Sequence, residues 1–172
     1  MRLIAIVLCM FLSVASHAAQ NSNQALSDLS VMFFDEPLNP IFGIELLDSS
    51  KLDFSVNSLG HVDDFLESVR KMNIDSKDRL VLVLRTGAYV GEVLRKNDKN
   101  TKWSWLSFKQ ASKLDKETFE KFGKSISTVA ILHSEGKFVF PLGKVEKYLI
   151  NGSEDSVKYF VEVILTDPGL LE

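Results

Sequence analysis

The chain has 172 residues, a formal charge of −3 from 20 basic and 23 acidic side chains, and a single cysteine. One cysteine excludes a disulfide framework and a cysteine-built metal site. Basic residues dispersed among acidic ones, as in "KLDKETFEKFGK", exclude the one-sided basic patch of a nucleic-acid surface.

The chain opens "MRLIAIVLCMFLSVASHAAQ". Arg2 precedes an apolar run from Leu3 to Val14, and Ser16-His17-Ala18 places small residues where a signal peptidase reads. The run is shorter than the roughly 20 apolar residues that cross a bilayer, so residues 1–18 are expected to be a cleaved secretory signal. The mature chain then starts at Ala19 or one residue later. Cys9 leaves with the signal, and Leu8 before it does not suit lipid attachment. Arg2 is the only charged residue removed, so 19 basic and 23 acidic side chains remain and the mature charge is −4. Periplasmic or secreted placement follows as an expectation, with no membrane-spanning segment in the mature chain.

Residues 19–24 form a polar stretch expected to be a flexible tether, and 25–172 a single domain. "ALSDLSVMFF" (25–34) can bury Leu26, Leu29, Met32 and Phe33 from a short helix, which Pro37 and Pro40 stop. "KLDFSV" alternates apolar and polar at Leu52, Phe54 and Val56, which suggests an extended segment. From 59 to 72, Leu59, Val62, Leu66 and Val69 recur at three- and four-residue spacing, with Phe65 and Met72 widening the stripe. Asn57 or Ser58 can cap this helix.

"RLVLVL" (79–84) reads either as a buried strand or as the start of a longer helix. A cap at Asp75 or Ser76, Asp78 in the first turn, and a stripe through Leu80, Val83, Leu84, Gly87, Gly91 and Leu94 favour a helix running to 97. Downstream, Trp103 and Trp105 share one face of a strand in "TKWSWLSF". A short helix ends at Gly123, and strands at 126–133 and 137–140 form a hairpin around "SEG". Helices at 143–150 and 154–165 close the chain, broken by Asn151-Gly152, with Ser153 as the second cap. The sum is an α+β fold: a small antiparallel sheet of at least three strands packed with about five helices.

The stretch "RTGAYVGEVLRKN" (85–97) carries the question of chemistry. A phosphate loop needs glycines at a strand-to-helix turn in G-x-G-x-x-G spacing or followed by Lys-Ser/Thr. Here Gly87 and Gly91 are four apart with Tyr89 and Val90 between them. On a helix they stack on one face, each at a cost of about 1 kcal/mol against alanine, and a closely packed neighbour must offset that cost. Glu92 then sits on a helix apolar over much of its circumference, where a carboxylate needs a partner. Lys96, Arg95 or a backbone amide could be that partner, or Glu92 could floor a pocket beside Tyr89. Acid–base work would need a second group, and Asp63, Asp64 or His61 could supply it. His61 and His133 are the only histidines after the signal and lack metal-ligand spacing, and no G-x-S-x-G elbow occurs, so neither metal nor other cofactor is expected. Lys144 and Lys147, three apart and opposite Val145, Tyr148 and Leu149, could reach Glu92 across a cleft.

"GAYVGEV" (87–93), a tryptophan shortly downstream, and "FPLGKVEKYLINGSEDS" (140–156) together resemble a poorly characterised group of bacterial proteins. "LDFSVNSLGHVDDFL" (52–66) is similar to the segment that precedes the glycine helix in that group. The likeness spans roughly 52–160 and implies one intact domain. It implies no activity, and many relatives of this kind look cytoplasmic, so the signal is a departure.

The expected role is an exported, non-enzymatic, protein-binding domain of the bacterial envelope, immunity-type in its most specific form. Gly87, Tyr89, Gly91, Glu92, Trp103, Trp105, Lys144 and Lys147 are its candidate binding residues. The alternative is a small hydrolase or ligand-binding protein working through Glu92 and Tyr89.

Overall fold

The fold is organised around one long helix. A computed structural model describes residues 21–166; the expected signal lies outside them. Helix α3 (Ser76–Asn97) has 22 residues and is buried on all sides from Arg85 to Leu94. Asp75 caps it by accepting from the amides of Lys77 and Asp78, and Asp78 stands in the first turn. Arg95 and Lys96 occupy the last turn, where positive charge complements the helix dipole. The helical reading of 79–97 therefore holds.

Around α3 lie α2 (Ser58–Val69), α6 (Pro141–Asn151) and α7 (Val157–Thr166). Leu59, Val62, Phe65, Leu66 and Val69 bring the predicted stripe of α2 into the same core as Val90, Val93, Val145, Tyr148 and Val161. Pro141 opens α6, a position where the missing N–H has no helical partner to lose. A first helix, α1, covers 21–31. It takes in 21–24, which the sequence reading left as a tether. Asn23 Oδ1 accepts the amide of Trp105 at 2.8 Å, so this stretch is fastened to the sheet.

The sheet has three antiparallel strands in the order β1-β2-β3: Ser104–Ser107, Ala130–Ser134 and Lys137–Val139. Trp105 lies opposite Leu132, and Leu132 opposite Val139. These three side chains join the main core. On the other face Ile131 meets Ala111 and Phe119 in a second cluster, closed by Phe108, Phe138 and Phe140. Ala111 and Phe119 come from two short helices, α4 (Phe108–Leu114) and α5 (Lys116–Phe122). The sheet is thus covered on both faces.

Several elements differ from expectation for identifiable reasons. The single helix before Gly123 is split at Asp115, which leaves the helical region and caps α5 through Thr118 N; Gly123, at φ 67°, does end it. That split helps bring the total among the described residues to seven helices. The hairpin strands are shorter than expected because Ile126–Thr128 is a 3-10 turn. Leu52 to Val56 is not extended but a run of bends, with Phe54 at φ 62°. Ser153 begins a 3-10 turn and does not cap α7. Ser156 does so instead, its Oγ accepting from Tyr159 N at 3.0 Å. Asp63 of α2 supports the same turn by accepting from Val157 N at 2.8 Å, Lys158 N at 3.4 Å and Ser156 Oγ at 2.6 Å.

Candidate functional site

The two glycines of α3 do what their spacing implied. A methyl group on Gly87 would fall 2.7 Å from the Cα of Leu142, so the backbones of α3 and α6 meet there. On Gly91 it would fall 2.2 Å from Cζ2 of Trp105 and 3.2 Å from Cγ of Pro141. No real Cβ tolerates such distances. The notch is therefore filled from within by α6 and by the indole of β1, and it presents no anion-binding loop.

Glu92 sits at the edge of this notch, 2 % exposed. Its Oε1 accepts from Arg95 Nη1 at 2.6 Å and from Trp105 Nε1 at 2.8 Å. Arg95 Nε in turn donates to the Trp103 carbonyl at 3.2 Å, and Trp103 Nε1 donates to Asp98 Oδ2 at 2.8 Å. Arg95 rather than Lys96 is the ion-pair partner; Lys96 Nζ lies 3.4 Å from the centroid of the Phe54 ring. Tyr89 belongs to a different set. Its hydroxyl is 2.7 Å from Ser58 Oγ and accepts the amide of Phe54 at 3.1 Å, while its ring packs on Phe33 and Phe54. Burial pushes its phenol above the ordinary range despite those hydrogen bonds.

The structure does not assemble the acid–base set considered from sequence. Asp63 is occupied in capping α7, and burial raises its carboxyl above the usual carboxylate range even though three donors face it. His61 and Asp64 are exposed on α2. His133 is half-buried at the end of the hairpin, its Nε2 accepting from Gly136 N at 3.3 Å, and burial lowers its pKa. Lys144 does not reach Glu92: its Nζ is 2.7 Å from Asp155 Oδ1. That bond, followed by one from Asn151, holds Asp155 below the usual carboxylate range. Among the described residues no three acidic, histidine or cysteine side chains cluster to hold a metal. No helix there is long and apolar enough to cross a membrane.

Of the eight candidate binding residues, six lie in the interior: Gly87, Tyr89, Gly91, Glu92, Trp103 and Trp105. A docking face on them is not available, because Gly87 and Gly91 are filled by α6 and the Trp105 ring, Tyr89 packs on Phe33 and Phe54, and both tryptophans lie in the core. Lys144 and Lys147 are different. They lie along a groove of about 480 Å³ between α6, β3 and the end of α5. Its walls are aromatic and aliphatic: Phe122, Phe138, Phe140, Phe160 and Ile150. Phe122 and Ile150, which both line it, are 59 % and 64 % exposed, so the groove carries apolar surface open to solvent. Glu146 closes one end, its carboxylate bonded to Ser127 Oγ. Lys147 is exposed and makes no ion pair among the described residues. The available signal for this groove was "FVF" (138–140), apolar on both faces of a short strand, together with Ile150 lying off the buried stripe of α6.

Comparison with protein-family models, with curated proteins and with solved structures finds no match. The resemblance over 52–160 rests on its motifs alone.

Proposed function

We propose that this chain is an exported, non-enzymatic, protein-binding domain of the bacterial envelope that holds its partner in the groove between α6 and β3. The observation that carries this reading is the pairing of exposed Phe122 and Ile150 around a concavity of about 480 Å³ with Lys147 at its rim. Aromatic and aliphatic anchors beside a few charges are the usual make-up of a recognition pocket. The hydrolase alternative requires Glu92 at an opening, yet two donors cover the same carboxylate oxygen in the interior. In the immunity-type form of this role, the captured partner is a delivered toxin whose activity stops on binding.

The test compares immobilised wild-type protein with Ile150→Glu and Lys99→Glu in envelope extract. Both positions are exposed, so neither substitution buries a charge. A protein retained by wild type and by Lys99→Glu but lost with Ile150→Glu is the expected outcome. An identical retained set for all three would end the reading.

A further inference from the structure

Strand β3 offers more than a wall to the groove. It is an edge strand, paired only with β2 among the described residues. The turn before it has two residues, Glu135 and Gly136, at φ 49° and 83°, as a type I′ hairpin turn requires. Such a turn makes Ser134 and Lys137 the hydrogen-bonded pair that closes the hairpin. Because bonded and non-bonded pairs alternate along an antiparallel ladder, His133 and Phe138 are a non-bonded pair. The N–H and C=O of Phe138 therefore point away from β2, towards the unpaired side.

The groove lies on that side. Phe138 and Val139 are consecutive in the strand and point to opposite faces of the sheet, yet both line the groove. A concavity touched by both faces of one strand runs along its edge. The opposite edge of the sheet is treated differently: α1 covers β1 there, with Asn23 bonded to Trp105 N. The β3 edge instead stands beside an apolar groove.

We infer that β3 receives an extended segment of a partner protein as a fourth strand, with alternate apolar side chains in the groove and a carboxylate on Lys147. The inference rests on the protein-binding reading above and adds the mode of recognition. Strand addition takes affinity from main-chain hydrogen bonds and specificity from pockets for alternate side chains, and β3 supplies both. Three residues is short for an edge, so the donated segment is short as well. The charge preference comes from Lys147. Lys144 is neutralised by Asp155 and Glu146 is bonded to Ser127, which leaves Lys147 as the groove cation without an ion-pair partner among the described residues.

The probe is a fluorescein-labelled heptapeptide of alternating valine and threonine in which one terminal valine is replaced by glutamate, on the side that faces the groove. One companion carries lysine in place of the glutamate, and another has its alternate amide nitrogens methylated. Binding is read by anisotropy and the Phe138 amide by hydrogen exchange. The Phe138 amide should exchange fast in the free protein and become protected at saturation. Methylation of the probe, or Lys147→Glu in the protein, should each weaken binding about tenfold, the ratio that 1.4 kcal/mol represents, while Lys99→Glu changes nothing. A protected Phe138 in the free protein, or equal binding of the methylated probe, overturns strand addition but leaves partner capture standing. Equal affinity for glutamate and lysine probes overturns the role of Lys147. If laurate fills the groove and no peptide binds, the inference and the protein-binding reading both fall.

Discussion

The indole N–H of Trp105 is bonded to Glu92 at 2.8 Å, and the same ring fills the space that a side chain at Gly91 would need. Residues 91 and 92 therefore act on one object. Gly91 lets the ring in, and Glu92 fixes its orientation. This explains why a helix-weakening glycine is followed directly by a carboxylate in the most buried part of the chain.

Gly91→Ala should destabilise the fold, since Trp105 cannot retreat without losing its bond to Glu92. Overpacking costs roughly 1–3 kcal/mol, and the clash at 2.2 Å belongs at the upper end, only partly offset by about 1 kcal/mol of helix propensity. Gly60 is the control. It lies within α2, and the nearest atom to an added methyl is Lys158 Cδ at 3.9 Å. Gly60→Ala should stabilise by about 0.4–1 kcal/mol. Urea midpoints of both variants decide the matter, and a neutral Gly91→Ala would contradict the packing described.

Glu92→Gln separates a structural carboxylate from a functional one. Removing one partner of a buried ion pair typically costs about 3–5 kcal/mol. Arg95 is 23 % exposed, so water can partly solvate it and the loss should sit at or below the lower bound. The amide oxygen of glutamine can still accept from Trp105. A clear fall in melting temperature is expected. An unchanged melting temperature with loss of binding or turnover would restore Glu92 as a functional residue.

These local rules also mark how far the residues alone could be read. The caps and stripe of α3 and the stripe of α2 are properties of contiguous sequence. Helix α3 stands where the sequence places it, while α2 ends at Val69, short of the expected 72, and leaves Met72 41 % exposed. The glycine notch was legible for the same reason, although its occupant was not. Phe54 was misread because its backbone is set from α3: Tyr89 accepts its N–H, and Asn97 Nδ2 donates to its carbonyl at 2.8 Å. Alternation of Leu52, Phe54 and Val56 could not reveal that. The possibility that Lys144 reaches Glu92 fails because Asp155, brought back by the turn at Gly152, pairs with it at 2.7 Å. The groove draws on α5, β3, α6 and α7, so "FVF" and Ile150 mark parts of its wall but no local pattern encodes the whole.

Asp63 connects two helices that lie far apart in sequence. Asp63→Ala removes the acceptor for Val157 N and Ser156 Oγ at the start of α7. Loss of a helix cap costs about 0.5–2 kcal/mol. The lower half of that range applies here, because Ser156 Oγ still accepts from Tyr159 N at 3.0 Å and keeps one cap of α7. Asp63→Asn should recover part of it, keeping one acceptor oxygen. Thermal unfolding of the two variants gives the order, and faster exchange of the Val157 amide in Asp63→Ala places the loss at this helix.

Glu67 sets an acid limit on the packing of α2 against the end of α6. Arg70 Nε is 2.5 Å from Glu67 Oε2 and Lys71 Nζ is 2.9 Å from Oε1, and these bonds lower the Glu67 carboxyl to about 2. The guanidinium so held stands over Gly152, where an added methyl would meet Arg70 Nη2 at 2.8 Å. Because the folded pKa is depressed, the stabilisation is fully present above the ordinary value of 4.5 and is lost as pH falls from there through about 2. Denaturation midpoints measured between pH 5 and about 2 should decline more steeply for wild type than for Glu67→Gln, which lacks the titrating group. A carboxyl resonance of Glu67 that titrates near 4.5 would show that Arg70 is not held in this way.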